Sequence, residues 1–139
     1  MLTALKKGDS VVVRDRTFEP VNFDEFHLET GESIFWIQDH GDMWMAIDES
    51  SEEAILFHQV DADVEFGSES VFYSGDDYEL SFEASATVVD EDGTDTDTVE
   101  LKDYETNDGQ LFRMIEFEVV GDVMTLVGRK VAEEEFKKA

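Results

Sequence analysis

The 139-residue chain contains no cysteine and only one proline, Pro20. Without cysteine, disulfide bonds, thiolate metal sites and a cysteine nucleophile are excluded. The same absence fits a reducing compartment, because disulfides are rare in the cytosol. Since proline cannot donate to a sheet ladder, we expect the strand that contains Pro20 to be an edge strand or to break there.

Long apolar runs are also missing. No stretch approaches the roughly 20 consecutive apolar residues of a membrane-spanning helix, and residues 1–8 lack the apolar run of a signal peptide. We therefore expect a soluble, cytoplasmic protein without direct membrane insertion. With 41% hydrophobic residues, the chain can build an ordinary core, and its length fits a single domain, residues 1–139.

Basic residues are scarce: 10 lysines and arginines stand against 36 acidic residues, which gives a net charge of −26. Residues 17–101 contain 25 acidic residues and no lysine or arginine. Nucleic acid and anionic membranes require clustered cations, so neither is expected as a partner. Cations, polyamines or a basic protein are chemically suitable partners. A surface that only keeps the protein soluble, for example in a salty cytoplasm, explains the same charge.

Short strand-like segments fill most of the chain, and turns separate them about every 8 to 15 residues. No amphipathic helix lies between them. This pattern predicts an all-β fold, an antiparallel meander that forms a barrel or a sandwich. A short C-terminal helix is predicted at residues 131–138, where acidic residues precede basic ones as the helix dipole prefers.

Two segments that lie 60 residues apart resemble each other. Ser10–Glu19 and Ser70–Glu79 share a strand, a turn, an aromatic residue and a glutamate in one register. They suggest two pseudo-repeated halves, residues 8–66 and 68–131, although chance similarity between two acidic hairpins is an alternative. If the duplication is real, binding is expected at the junction of the halves.

Both tryptophans lie in one predicted β-hairpin. With its turn centred on His40, Trp36 lies opposite Trp44, and Gly41 supplies the left-handed residue of a three-residue turn. Strand alternation gives this hairpin two faces. One face is apolar and should be core: Phe35, Ile37, Met43, Met45 and Ile47.

The second face of this hairpin contains the two tryptophans, with Gln38 and Asp42 at its edges. An aromatic pair across two strands, bordered by polar groups, predicts either a second packed layer or a shallow binding platform. We therefore take Trp36, Trp44, Gln38 and Asp42 as candidate binding residues.

Catalytic and metal-binding patterns are weak. The histidines His27, His40 and His58 are far apart, and their spacing does not predict a metal site. The acidic run from Asp90 to Asp97 lacks the ligand order and flanking helices of a calcium loop. No serine lies in a glycine-flanked elbow, and no glycine-rich loop precedes a helix. We expect no enzyme activity, no catalytic residues, no metal and no cofactor.

Arg113 lies on a predicted strand, three residues before Glu116, so the two side chains point to opposite faces. Arg113 is therefore expected to pair with another nearby carboxylate.

Several short motifs along the chain resemble a bacterial family, domain of unknown function 4178. They are Leu5–Val11, Trp44-Met45, Val71–Tyr78, Asp103-Tyr104 and Gly109–Glu116. The family has no established activity or catalytic residues. Its members tend to be encoded near polyamine-synthesis-like and membrane-stress proteins, so the resemblance implies a stress-associated accessory role.

Three functions follow as expectations. The first is a non-catalytic accessory domain that binds a partner protein, basic or membrane-stress associated, through the Trp36 and Trp44 face. The second is cation or polyamine binding by the acidic middle of the chain, because ammonium groups favour carboxylates and ring faces. The third is an acidic decoy that imitates nucleic acid toward a basic protein.

Overall fold

The computed structural model describes residues 10–13, 16–39, 41–48, 53–62, 64, 67–132 and 135–138. These residues form twelve strands: β1 (Val11–Val13), β2 (Arg16–Phe18), β3 (Pro20–Leu28), β4 (Ser33–Asp39), β5 (Met43–Asp48), β6 (Ala54–Val60), β7 (Ser70–Tyr73), β8 (Asp76–Val89), β9 (Asp95–Glu105), β10 (Gln110–Phe117), β11 (Val123–Val131) and β12 (Phe136–Lys138). Glu19 separates β2 from β3, so the extended segment is interrupted directly before Pro20, as predicted for a strand that contains proline.

Eight strands close into an antiparallel barrel, in the order β3-β4-β5-β6-β11-β10-β9-β8. Two meanders, β3 to β6 and β8 to β11, meet at two junctions. Strand β6 pairs with β11, where Val60 lies opposite Thr125, and β3 pairs with β8, where Leu28 lies opposite Ala86. The predicted all-β antiparallel fold is confirmed, and of its two forms the molecule adopts the barrel.

Each meander is preceded by a short hairpin, and the two hairpins have the same register. Val11 pairs with Phe18 in β1–β2, and Val71 pairs with Tyr78 in β7–β8, an offset of 60 residues. Equivalent strands of the two meanders also pair with each other at both junctions. This arrangement is what a duplication would produce, and the duplication itself stays a prediction.

The predicted C-terminal helix at residues 131–138 is wrong. Val131 ends β11, and Phe136–Lys138 form β12, which pairs antiparallel with β1. An isolated helix shorter than about 12 residues is marginal in water, whereas the open edge of β1 offers backbone hydrogen bonds to the final strand.

Apolar side chains form three clusters. The barrel interior contains the largest: Phe26, Leu28, Trp36, Trp44, Ala46, Phe57, Ala84, Ala86, Val88, Val99, Leu101, Leu111, Ile115 and Leu126. The other two lie on the outside of the barrel wall, one under the β1–β2 hairpin and one under the β7–β8 hairpin. The cluster under the β1–β2 hairpin contains Val13, Phe18, Ile37, Met43, Met45, Ile47, Ala54 and Val131. The cluster under the β7–β8 hairpin contains Val71, Tyr78, Tyr104, Phe112 and Met114.

The β4–β5 hairpin turns one residue later than predicted. Trp36 lies opposite Ala46, and Gln38 lies opposite Trp44. The carboxylate of Asp39 accepts a hydrogen bond from Gly41 N at 2.8 Å within this turn, and the φ of Gly41 does not lie in the left-handed region. Moving the turn by one residue shifts the pairing partner of each residue by two positions. Since side chains alternate with a period of two, every residue stays on its predicted face. The face predicted to be core is confirmed: Ile37, Met43, Met45 and Ile47 are buried in the cluster under the β1–β2 hairpin, and Phe35 packs against it.

The described residues contain no helix that is long and apolar enough to cross a membrane.

Candidate functional site

The tryptophans lie inside the barrel, where Trp36 is 2% and Trp44 8% exposed. Trp36 stacks on Phe26 and on Trp44, with ring centroids 5.3 Å and 5.0 Å apart, and Phe57 lies 5.8 Å from it. The other three rings, from β3, β5 and β6, are therefore grouped around Trp36 of β4. Of the two predicted alternatives, the tryptophan face is a packed layer and not a shallow platform, because closing the barrel turns this face inward. Any binding role of the tryptophans stays a prediction that concerns the barrel interior.

Arg113 extends into the barrel interior from β10 and forms an ion pair with Asp103 of β9. Its Nε and one terminal nitrogen donate to the two carboxylate oxygens at 2.7 Å and 2.9 Å. The guanidinium lies over the rings of Phe57 and Trp36, at 4.7 Å and 5.6 Å from their centroids. The expected pairing of Arg113 with a nearby carboxylate is confirmed, and the ion pair is buried.

Two donors in the interior have no hydrogen-bond partner among the described residues. They are the indole Nε1 of Trp44 and the Nη1 of Arg113. Arg113 is already neutralised by Asp103, so a further anion beside it would be a buried, uncompensated charge, which is unfavourable. The barrel interior is therefore unfavourable for an anionic ligand.

One end of the barrel is acidic. In an antiparallel meander alternate turns lie at the same end, which places the β4–β5, β8–β9 and β10–β11 turns and the segment after β6 together. Their described acidic residues are Asp42, Asp61, Asp90, Glu91, Asp92, Glu118 and Asp122, and no lysine or arginine is found in these described segments. We call this region the acidic end.

Asp24 lies between the acidic end and the barrel interior and is half-buried. Its carboxylate accepts a hydrogen bond from the side-chain amide of Asn22 at 3.0 Å. Burial raises the pKa of the Asp24 carboxyl; the Asn22 hydrogen bond lowers it, and the charges of Asp90 and Glu91 raise it further. The net shift is upward, so the local environment disfavours additional negative charge.

The β10–β11 turn at this end presents two exposed valines. Val119 is 76% and Val120 67% exposed, although turns are normally built from small and polar residues. The turn backbone is fixed to β9, because Glu118 N donates to Thr98 O at 3.0 Å and Val119 N donates to the Asp97 carboxylate at 2.9 Å. The valines are therefore held outward by a fixed turn.

A cleft of about 430 Å³ adjoins this turn. Its polar lining consists of Asp42, Gln59, Asp61 and Thr125, and its apolar lining consists of Val60, Ala62, Val64 and Val123. The Thr125 hydroxyl donates to Val60 O at 2.6 Å, which leaves the two carboxylates and the Gln59 amide as the groups available to a ligand.

The predicted site residues thus divide between two places. Trp36 and Trp44 meet in the interior, with Gln38 opposite Trp44, whereas Asp42 lines the cleft. The exposed valine turn was not predicted from the sequence. Its signal is the apolar pair between Glu118 and Gly121, in a segment where turn residues are expected.

Metal binding finds no support in the described part of the chain, where no group of three or more histidine or acidic side chains could hold an ion. His27 contacts the Glu25 carboxylate at 2.8 Å on the surface, and His58 is exposed on β6. His40, the predicted centre of the hairpin turn, lies outside the described residues.

No protein-family model, curated protein or solved structure matches this chain. The resemblance to domain of unknown function 4178 stays a prediction.

Proposed function

We propose that this protein is a non-catalytic accessory module that binds a partner protein at its acidic end, with Val119 and Val120 as the apolar anchors. The observation that supports this proposal is the strong exposure of two valines on a turn fixed by two hydrogen bonds. Because the turn is already ordered, binding would require little additional loss of conformational entropy.

The acidic surroundings favour a basic partner. Fully burying a valine side chain stabilises a complex by about 1.5 to 3 kcal/mol, and the carboxylates around the turn would steer a positively charged surface toward it. A second copy of the chain is a poor partner, because each copy has a net charge of −26. The predicted cytoplasmic location is compatible with such a role.

Partner capture with matched variants tests the proposal. Tagged wild-type protein is expected to retain a partner that the double variant Val119→Ser/Val120→Ser loses. Phe72→Ser is the control, because Phe72 is also strongly exposed, at 68%, but belongs to the β7–β8 hairpin, whose turn lies at the opposite end. The captured protein is then purified and its affinity measured directly.

Equal affinity of the valine double variant and the wild type for the purified partner would contradict the proposal. A second result would also contradict it: sedimentation shows a concentration-dependent dimer of the wild type, and the double variant stays monomeric. The valines would then bind a second copy of the chain. DNA competition identifies the related decoy function: a nucleic-acid mimic is displaced from its partner by DNA, and a simple accessory module is not.

Cation or polyamine binding is a second candidate function, which the carboxylates of the cleft favour. A ligand that binds only the folded state stabilises it by RT ln(1 + [L]/Kd). Spermidine at micromolar concentration and fixed ionic strength is then expected to raise the melting temperature. If only molar NaCl raises it, charge screening is sufficient and this function is wrong.

A further inference from the structure

We infer that the cleft beside the valine turn takes the side chain of a lysine from the partner protein. This inference rests on the proposed function, because it names the chemistry of the partner at the same end of the barrel. Val123 connects the two features: it directly follows the β10–β11 turn, is 45% exposed and lines the cleft.

The cleft has the two surfaces that a lysine side chain requires. Val60, Ala62, Val64 and Val123 offer apolar contact to the four-carbon stem, and the charged group can remain near water as lysine side chains commonly do. Asp42 reaches the cleft from the β4–β5 turn, and Asp61 directly follows β6. No described lysine or arginine lines the cleft, so its charge is not neutralised from within its lining.

The distribution of the acceptors over three separate side chains favours lysine over arginine. An ammonium group has three N–H donors in a flexible arrangement, and the cleft offers three acceptor groups: the carboxylates of Asp42 and Asp61 and the amide oxygen of Gln59. A guanidinium group prefers two parallel hydrogen bonds to one carboxylate. Arg113 shows that arrangement with Asp103 in the barrel interior.

Chemical-shift mapping with a lysine side-chain probe tests the inference. Nitrogen-15-labelled protein is titrated with N-acetyl-lysine N-methylamide at fixed ionic strength, and N-acetyl-norleucine N-methylamide serves as the uncharged control. We expect saturable shifts of the backbone amides of Gln59, Asp61, Ala62 and Val123 with the lysine probe only. Asp61→Asn should weaken the affinity by about two- to fivefold, as for an exposed ion pair.

Two further variants and a second ligand define the outcome. Asp42→Asn, as a second cleft variant, should weaken binding similarly, and Asp77→Asn, which removes the same charge beside the β7–β8 turn at the opposite end, should leave it unchanged. An equal loss in Asp77→Asn, or shifts that do not saturate, would overturn the inference, because general charge attraction would explain them. Saturable binding of spermidine without binding of the lysine probe would also overturn it in favour of a small-cation site.

The two proposals can fail separately. If the partner depends on Val119 and Val120 but Asp42→Asn/Asp61→Asn binds it as tightly as the wild type does, the lysine inference is wrong and the proposed function stands. If the lysine probe binds in the cleft while no partner depends on the valines, the proposed function is wrong, and the cleft is still a binding site for a lysine side chain.

Discussion

Inside the barrel, Asp103 binds Arg113 through two hydrogen bonds, whereas at the acidic end Asp42 and Asp61 are exposed to water and the described residues of the turns include no lysine or arginine. An ion removed from water costs several kcal/mol unless a partner and hydrogen bonds offset it. Solvated carboxylates need no such partner. The buried pair therefore differs from the exposed carboxylates in that neither of its members can lose its partner without cost, whereas the exposed charges remain available to a binding partner.

The largest expected effect comes from breaking the interior pair. Arg113→Met leaves the carboxylate of Asp103 buried without its partner, so we expect a loss of about 3 to 5 kcal/mol in the free energy of unfolding. Urea denaturation measures it. The double variant Asp103→Leu/Arg113→Met should recover most of this loss, since no buried charge remains. An unchanged stability of Arg113→Met would show that Asp103 is not held in the low-dielectric interior.

A smaller loss is expected when the aromatic wall beside Arg113 is displaced. A Cβ at Gly128 would lie 2.5 Å from Phe57 Cδ1 and 2.7 Å from the carbonyl oxygen of Leu56, so Gly128→Ala should destabilise the fold by about 1 to 3 kcal/mol. Gly41→Ala is the matched control, because its Cβ would meet Asp39 Oδ1 at an ordinary 3.7 Å. Equal melting temperatures of the two variants would contradict this packing.

Asp24 lies between the two environments and should make stability depend on pH. Since its pKa is raised in the folded state, the folded protein binds more protons than the unfolded chain between the ordinary carboxyl pKa and the raised one. Stability then falls as pH rises through this window. Asp24→Asn should raise the melting temperature at pH 7 and give no such gain below the ordinary carboxyl pKa. A gain of the same size at both pH values would exclude titration of Asp24 as the cause.

The smallest effects are expected at the two ends of the barrel. Asp92→Asn at the acidic end should stabilise slightly, by less than about 0.5 kcal/mol, because it relieves repulsion among carboxylates. Lys130→Gln at the other end should destabilise to a similar extent, since it removes a 3.8 Å contact with Glu53 in which both side chains are largely exposed. Both differences in melting temperature should vanish in high salt. A difference in melting temperature that persists at high salt would show that changed packing, and not charge, is its cause.

Strand alternation and turn spacing were enough to predict the all-β fold and the membership of the two hairpin faces. They could not show which face lies inside the barrel, because both faces of the β4–β5 hairpin carry large apolar side chains that become buried. Trp36 and Ile37 are both buried, yet on opposite sides of the wall. Barrel closure, a long-range event, decides between them.

Local rules also failed where two distant segments meet. The acid-to-base pattern at residues 131–138 predicted a helix, and the open edge of β1 turned the final residues into a strand. The cleft joins the β4–β5 turn with the end of β6 and the start of β11, so only Asp42 of its lining was predicted as a binding residue. The exposed valines were recognisable in principle, as an apolar pair within a turn.

The junction between β3 and β8 contains only four registered pairs, from Glu25–Val89 to Leu28–Ala86. The partners at both barrel junctions are about 60 or more residues apart in the chain, so each junction forms only after a long loop closes, which slows pairing. The β6–β11 junction, however, is held by seven registered pairs. We expect the β3–β8 junction to be the last to close during folding and the first to open in the native protein. Hydrogen exchange at Phe26 and His27 should therefore be faster than in the centre of β10, and each such opening would briefly expose Trp36 to fluorescence quenchers.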